Sequence, residues 1–448
     1  MRKFILFSIL ILLIPFAAYS WMGAVIPAGG TVAADSSLTP VDEFSGELVQ
    51  SVGQAAALLT DADGGDGTAV TIADNIATFT GYTTSNFPFG DAVGDIRHGD
   101  LIAYGDNYAI IKGLVTSGDA DTITASQAIA YVTIKDGSTA PTAASNSAFT
   151  IYRQFTGGSL WESNTGNTNI TASHELTDTV LNDSGDEDGK LNVIFYDDIT
   201  DTTRFDIDGW TTSITQYINA YVASGHTYTV SNAVNGLTIS DQYTRCGGFI
   251  LSSSTNKTVF LDTDTVGVHL YGCTITNGGT QIAIAVENTN TSTMYIYNNI
   301  IYEFASRGIQ LDDADATVYF YNNTLADGTS AGIYNIAGTI IAKNNIVSDT
   351  VNENYIGTFD AASDGNWSDD TYDTGGTNDI KSDDAGWDDV RYVNQAGDDY
   401  HLAAKSGEDA GPWDNGIDID EDANLPITTD FDGDARSASA PDCGADEI

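Results

Sequence analysis

Three stretches decide the fold: MYIYNNI at residues 294–300, VYFYNNTL at 318–325 and IIAKNNI at 340–346. In each, a short alternating strand runs into two asparagines and then towards an apolar residue. The pairs Asn298-Asn299, Asn322-Asn323 and Asn344-Asn345 recur at intervals of 24 and 22 residues, and Gly308-Ile309 returns as Gly332-Ile333 after 24. Upstream, Val268-His269-Leu270-Tyr271 leads through Gly272-Cys273 to Thr274-Ile275, and Leu237-Thr238-Ile239 and Phe249-Ile250-Leu251 keep the rhythm. Short strands at this period, with no long helical stretch, predict coils lying one on another. A leucine-rich repeat would need a Leu-x-x-Leu-x-Leu frame, which is absent. Asparagine suits a sharp bend because it tolerates left-handed backbone angles, and stacked amides can bond one another in a ladder.

Working outward, residues 213–226 place Ile214, Tyr217, Ile218, Tyr221 and Val222 at helical spacing between Ser213 and Gly225. Strands entering the first coil fit the same residues, and that reading is preferred. Between 49 and 155, short apolar runs such as Ala69 to Ile72, Ile76 to Thr80, Leu101 to Tyr104, Tyr108 to Val115 and Phe149 to Tyr152 alternate with Gly, Asp and Asn, as in a small all-β domain. The expected organisation is a signal peptide at 1–20, a leader at 21–48, the small domain at 49–155 and a connection at 156–204. A parallel β-helix at 205–411 and an acidic cap at 412–448 follow. The fold class is all-β.

Arg2 and Lys3, the apolar run Phe4 to Phe16 and the small residues around Ala18-Tyr19-Ser20 read as an export signal. That run is shorter than the roughly 20 residues a membrane span takes, so no membrane insertion is expected after cleavage. The address is secreted or cell-surface. With 63 Asp and Glu against 16 Lys and Arg, the net charge is −47. Such a chain repels nucleic acid and anionic lipid, and binds polyanionic glycans poorly unless Ca²⁺ bridges the two. Three cysteines make no disulfide scaffold, although Cys246 and Cys273 are about one coil apart and could pair.

Two regions resemble exported right-handed parallel β-helix proteins of the pectate-lyase-like superfamily. One is the repeat core, 237–347. The other is the C-terminal run Asp399-Tyr400-His401-Leu402, Ser406 to Gly411, Asp430 to Arg436 and Pro441-Asp442-Cys443-Gly444-Ala445-Asp446-Glu447. Ile207 to Thr212 looks like the lead into such a solenoid. The chain departs from the pattern at Cys443, where Ile is usual, and in lacking Pro after Ser406. The resemblance implies a fold and leaves function open. It also implies that Arg436 pairs with an aspartate to pin the end cap.

Candidate chemistry comes in three sets. Arg307, Asp312, Asp313 and Asp327 are the best cation-and-carboxylate constellation for a polysaccharide lyase or glycoside hydrolase. His269 reads as a wall residue rather than a general base. Asp418, Asp420 and Asp422, preceded by Asp414, and then Asp430, Asp432 and Asp434 alternate in a way that suits Ca²⁺, although neither run completes an EF-hand loop. Tyr295, Tyr297, Tyr319 and Tyr321 recur 24 residues apart, opposite Ile296 and Phe320, and are expected to face outward as a platform for sugar rings. The leading expectation is a non-catalytic β-helix that binds polysaccharide or cell-surface glycan, or serves as an extracellular structural or adhesive element. The alternative is a lyase or hydrolase of extracellular polysaccharide.

Overall fold

The repeat becomes three walls of parallel strands. A computed structural model describes residues 43–448 apart from 45–46, 62–67, 84–86, 89–93, 115–126, 135–138, 171–189, 263–265, 278, 280, 288–291, 382–388 and 406–410. The expected signal peptide, nearly all of the expected leader and the expected turn from Ser406 lie outside the described residues.

The solenoid has about 7 turns. Its first wall runs from Leu48–Val52 and Leu191–Phe195 through Ile218–Val222, Thr244–Gly247, Val268–Tyr271 and Thr293–Tyr297. It continues into the second halves of two long strands, Arg307–Tyr321 and Ala331–Lys343. The second wall begins at Ile199–Asp201 and climbs through Ile300–Tyr302 and Thr324–Ala326 to Ile380–Lys381. The third comprises Phe205–Ile207, Leu237–Ile239, Val259–Leu261, Ile282–Val286, the first halves of the same long strands, and Tyr355–Ile356. Within residues 213–226, Ile218–Val222 enters the first wall as a strand, with Ile218 and Ala220 in the core.

Ile296 and Phe320 are fully buried in the same core, as their alternation predicts. The small all-β domain is an eight-stranded antiparallel sheet around Val70, Phe79, Ile102, Ile111, Val132 and Ile151. It precedes the main body of the solenoid, but Leu48–Val52, ahead of it in sequence, already belongs to the first wall. The solenoid therefore starts earlier than residue 205, because its first rungs carry no asparagine pair to betray them. A short helix, Gly158–Glu162, closes the near end of the core, with Trp161 stacked on Trp210 at 5.1 Å. Arg153, wholly buried, ties the small domain to the solenoid through Asp100 at 2.5 Å and Asp197 at 3.2 Å. Cys246 lies level with Leu270 rather than Cys273, and all three cysteines are free and buried. Burial pushes the Cys273 thiol up to about 12.

The two asparagines of each pair divide the work. The first of each pair, Asn298, Asn322 or Asn344, takes the left-handed turn, with φ of 54°, 53° and 54°. The second points inward and builds the ladder. Asn299 Nδ2 donates to Asn323 Oδ1 at 2.9 Å, Asn323 to Asn345 at 3.1 Å, and Asn345 to Asn366 at 2.9 Å. Each Oδ1 also accepts the backbone N–H of the coil below: Cys273 to Asn299, Asn299 to Asn323, Asn323 to Asn345 and Asn345 to Asn366. Asp379 ends the column, accepting from Asn366 at 2.9 Å.

Replacing Asn323 with Ala strands buried donors and carbonyls on both neighbouring coils. We expect a loss of about 3 kcal/mol in chemical denaturation, since each orphaned group costs about 1–3 kcal/mol. Asn322, whose side-chain amide has no partner among the described residues, should tolerate Gly within about 1 kcal/mol because Gly keeps the turn.

Candidate functional site

Alternation along the first wall sends two columns of side chains outward. One runs Asn219, Arg245, His269, Tyr295, Tyr319 and Ile341, and the other Tyr221, Gly247, Tyr271, Tyr297, Tyr321 and Lys343. The parallel register puts like on like. His269 stacks on Tyr295 at 4.4 Å, Tyr295 on Tyr319 at 5.2 Å, and Tyr271 on Tyr297 at 5.5 Å, with planes within 19° of parallel. Gly247 makes room for the Tyr271 ring, which would meet any Cβ there. Stacking sets ring faces against ring faces, so the columns turn mainly edges and hydroxyls outward. An open platform of ring faces is therefore not what Tyr295, Tyr297, Tyr319 and Tyr321 form.

The far half of this surface is also covered. Ile419, Leu425 and Ile427, with Ile417 beside them, pack on Tyr297, Tyr321 and Ile341. Tyr321 is wholly buried and Tyr297 is 9 % exposed, so neither can meet a glycan. Lys343 anchors the cover through Asp422 at 2.5 Å while lying over the Tyr321 ring. The same C-terminal segment grips the asparagine corner: Asn298 donates to Thr429 O, and Asn344 exchanges bonds with Ile417. Beyond the corner, Trp413 and Cys443 pack on Ile346, Trp367 and Ile380 of the second wall. The segment is thus a clasp over two walls. The cavity of about 60 Å³ beneath it, beside Asn344 and Arg436, has room for water and none for a sugar ring.

At the near end, Phe44, Ile194, Tyr196 and Tyr221 form another covered cluster. Between the two covers lies a window displaying Asn219, Arg245, His269, Tyr271, Tyr295 and Tyr319. All are partly buried except His269, which is 7 % exposed. Arg245 lies over Tyr217 at 4.0 Å and donates to its hydroxyl at 3.1 Å. Burial, then the charge of Arg245, holds the His269 pKa well below its ordinary value, so the ring is neutral. Sequence reasoning passed over Asn219 and Arg245, which carry no repeated motif.

The Arg307 constellation does not assemble. Arg307 opens a five-residue run across the third wall, with Asp312 and Asp313 in the corner beyond it, about 16 Å of extended chain away. Asp327 sits at the opposite corner, where it accepts from Gln395 Nε2 at 3.0 Å and from the Tyr400 hydroxyl. The repeat puts these residues on neighbouring coils but on different edges.

The aspartate runs spend much of their carboxylate capacity on the clasp itself. Asp418 Oδ1 accepts from Asp420 N at 3.1 Å, and Asp422 Oδ1 from Asn424 and Leu425. Asp430 accepts from the backbone of Asp432, Asp434 and Glu447. Among the described residues no three His, Cys, Asp or Glu side chains are grouped to hold a metal ion. Arg436 does pin the end, but mainly through carbonyls, donating to Gly444 O at 2.8 Å and Ala445 O at 2.9 Å. Its carboxylate partner is Glu447 rather than an aspartate. No protein-family model matches the chain, and no curated protein matches it.

Burial raises Asp442 and Asp446 to about 6, and raises Asp430. Burial opposes charge on His401, yet its hydrogen bond to Asp399 and the charges of Asp432, Asp446 and Asp399 leave its pKa raised. Groups with raised folded pKa values stabilise the docked clasp at acid pH, and their contribution is lost as pH rises through those values. Asp422 and Asp399 are lowered and contribute oppositely, but their change falls in the acid range below the ordinary carboxylate pKa. Amide exchange at Cys443 and Ala445, corrected for intrinsic rates, should therefore be faster at pH 8 than at pH 5. Asp446→Asn should flatten that difference.

Proposed function

We propose that this chain is an exported, pectate-lyase-like right-handed β-helix that binds neutral glycan through the window on its first wall, without cleaving it. What supports the reading is the chemistry of that wall. From Leu191–Phe195 to Ala331–Lys343, its outward residues are amides, hydroxyls, rings, two cations, Gly247 and the covered Ile194 and Ile341, and no carboxylate projects from its strands. Among the described residues, most acids lie outside the strands, with Asp61, Asp201, Asp206 and Asp399 among the exceptions.

The coils repeat at ~4.8 Å, so donors and acceptors stand in a row at that spacing. The row suits an extended polyhydroxylated chain lying along the solenoid axis. Hydrolysis needs paired carboxylates flanking the scissile bond, and this wall supplies neither member of such a pair. Recognition would come from hydroxyl and imidazole edges, since ring faces are engaged within the columns. Export rests on the basic start and apolar run of residues 2–20. Any Ca²⁺ would steady the aspartate-rich clasp rather than enter this window.

The test is co-sedimentation of the purified chain with neutral and acidic polysaccharides, alongside assays for reducing ends and unsaturated products. Binding to a neutral polysaccharide without cleavage is expected. Tyr295→Phe combined with Tyr319→Phe keeps the stacks, removes two hydroxyls and should weaken binding roughly tenfold. Tyr321→Phe, beneath the clasp, should leave binding unchanged. Cleavage of any polysaccharide, or binding indifferent to the Tyr295 and Tyr319 hydroxyls, would overturn the proposal.

A further inference from the structure

The junction between the small domain and the solenoid contains a bond that only one protonation state allows. In the turn of residues 94–100, Arg97 Nη2 lies 3.2 Å from Nε2 of buried His226, which leads into the second-wall strand Tyr228–Asn232. Arginine donates and cannot accept. Nε2 is therefore the bare nitrogen, and the ring proton sits on Nδ1, 4.0 Å from the Asp198 carboxylate. Among the described residues, the charges acting on this ring are those of Arg97, Asp197, Asp198 and Arg153. Arg97 and Arg153 lie over Tyr196 at 5.6 and 4.7 Å, and Tyr196 meets His226 edge to face at 6.2 Å. Asp197 also grips the turn, accepting from Gly94 N at 2.8 Å.

We propose that His226 is a proton-sensitive latch: neutral, it accepts from Arg97 and holds the small domain's turn against the solenoid, and protonated, it loosens that turn. A proton on Nε2 would set N–H against N–H and cation against cation. Burial, then the charge of Arg97, lowers the His226 pKa against the pull of Asp197 and Asp198, so the docked junction favours the neutral ring. A base with a lowered folded pKa contributes its full stability above its ordinary value of about 6.5. That contribution is lost as pH falls from there through the folded value. The near cover of the first wall rides on the same turn. His98, next to Arg97, pairs with Glu43 at 3.2 Å and meets Phe44 edge-on at 5.2 Å, and Phe44 and Tyr221 pack on the cluster of Ile194 and Tyr196. Acid thus loosens the cover at the near end, whereas the clasp at the far end loosens as pH rises. Burial raises Asp100, which acts in the opposite sense to His226. Burial also opposes charge on Asp197, but Arg153 holds its carboxyl below the ordinary value, so it changes only in stronger acid.

The experiment follows amide exchange in the full chain at pH 7.5 and pH 5.5, corrected for intrinsic rates, together with an NMR titration of the His226 ring. Exchange at Gly94, whose N–H crosses to Asp197, should be about tenfold faster at pH 5.5, the worth of one hydrogen bond to a charged group. His226→Gln keeps an acceptor for Arg97 and does not titrate, so exchange should stay slow at both values. Asp100 is retained in that variant, which separates its effect from the latch. The ring should titrate below about 6.5 and carry its proton on Nδ1 when neutral. Arg97→Gln should raise that pKa, because Asp197 and Asp198 remain. Asp198→Asn should lower it while keeping an acceptor for Thr227, and serves where Arg97→Gln does not fold. A pH difference undiminished in folded His226→Gln, or a His226 pKa indifferent to the charges of Arg97 and Asp198, would overturn the proposal.

Discussion

In the coils from Asn299 to Asn366, one buried side chain per coil keeps its polar atoms satisfied out of water and holds the stack together. Asn323 shows how. Its Nδ2 reaches Ile296 O, Tyr321 O and Asn345 Oδ1, while its Oδ1 receives two bonds from Asn299. A buried amide with partners on its own coil and on both neighbours fixes the vertical register of three coils together. A slip by one residue would unmake those bonds and turn the apolar face of the wall outward. The stacking of rings and the stacking of coils are thus one fact. Once Asn299 lies beneath Asn323, Tyr295 must lie beneath Tyr319.

The strictness of that register also determines what the surface can recognise. Identical columns consume their own faces, so an aromatic row on a parallel solenoid offers edges unless something breaks the column. Such breaks occur on the third wall, where Ala285 and Gln310 separate Phe260 from Tyr334. There the faces of single rings are free to hold cations. The clasp follows the same logic on the outside of the corner. Asn298 and Asn344, turned outward by their left-handed backbone, present amides that the C-terminal segment binds, and Ile417 to Ile427 fill the tyrosine edges beside them.

The repeat was legible because its determinants are local: strand, bend and apolar return lie within a few residues. Alternation correctly placed Ile296 and Phe320 inside and the tyrosines outside. What covers the tyrosines was not legible, because it depends on Asp422 meeting Lys343 across 79 residues. A faint signal existed in the spacing of Ile417 and Ile419, and of Leu425 and Ile427, which is that of a half-buried extended segment inside an acidic run. The early rungs escaped notice for a similar reason. Leu48–Val52 and Leu191–Phe195 pair directly, yet the whole small domain separates them in sequence. The sequence groups Arg307 with Asp312 and Asp313, whereas its structural partners are Gln310 and, one coil on, Tyr334.

Acidity itself has an architectural meaning. Carboxylates placed in wall positions would stack at about the strand spacing, where like charges directly opposite each other destabilise a sheet. Turns let successive carboxylates splay apart and stay hydrated. Turns can therefore carry charge without loading the ladders, and the first wall is left without an outward carboxylate in a strongly acidic chain. A net charge of −47 repels polyanions at long range, while the first wall displays amides, phenols and Arg245 between its two covers. The proposed preference for neutral saccharide would then arise from the same constraint that builds the fold.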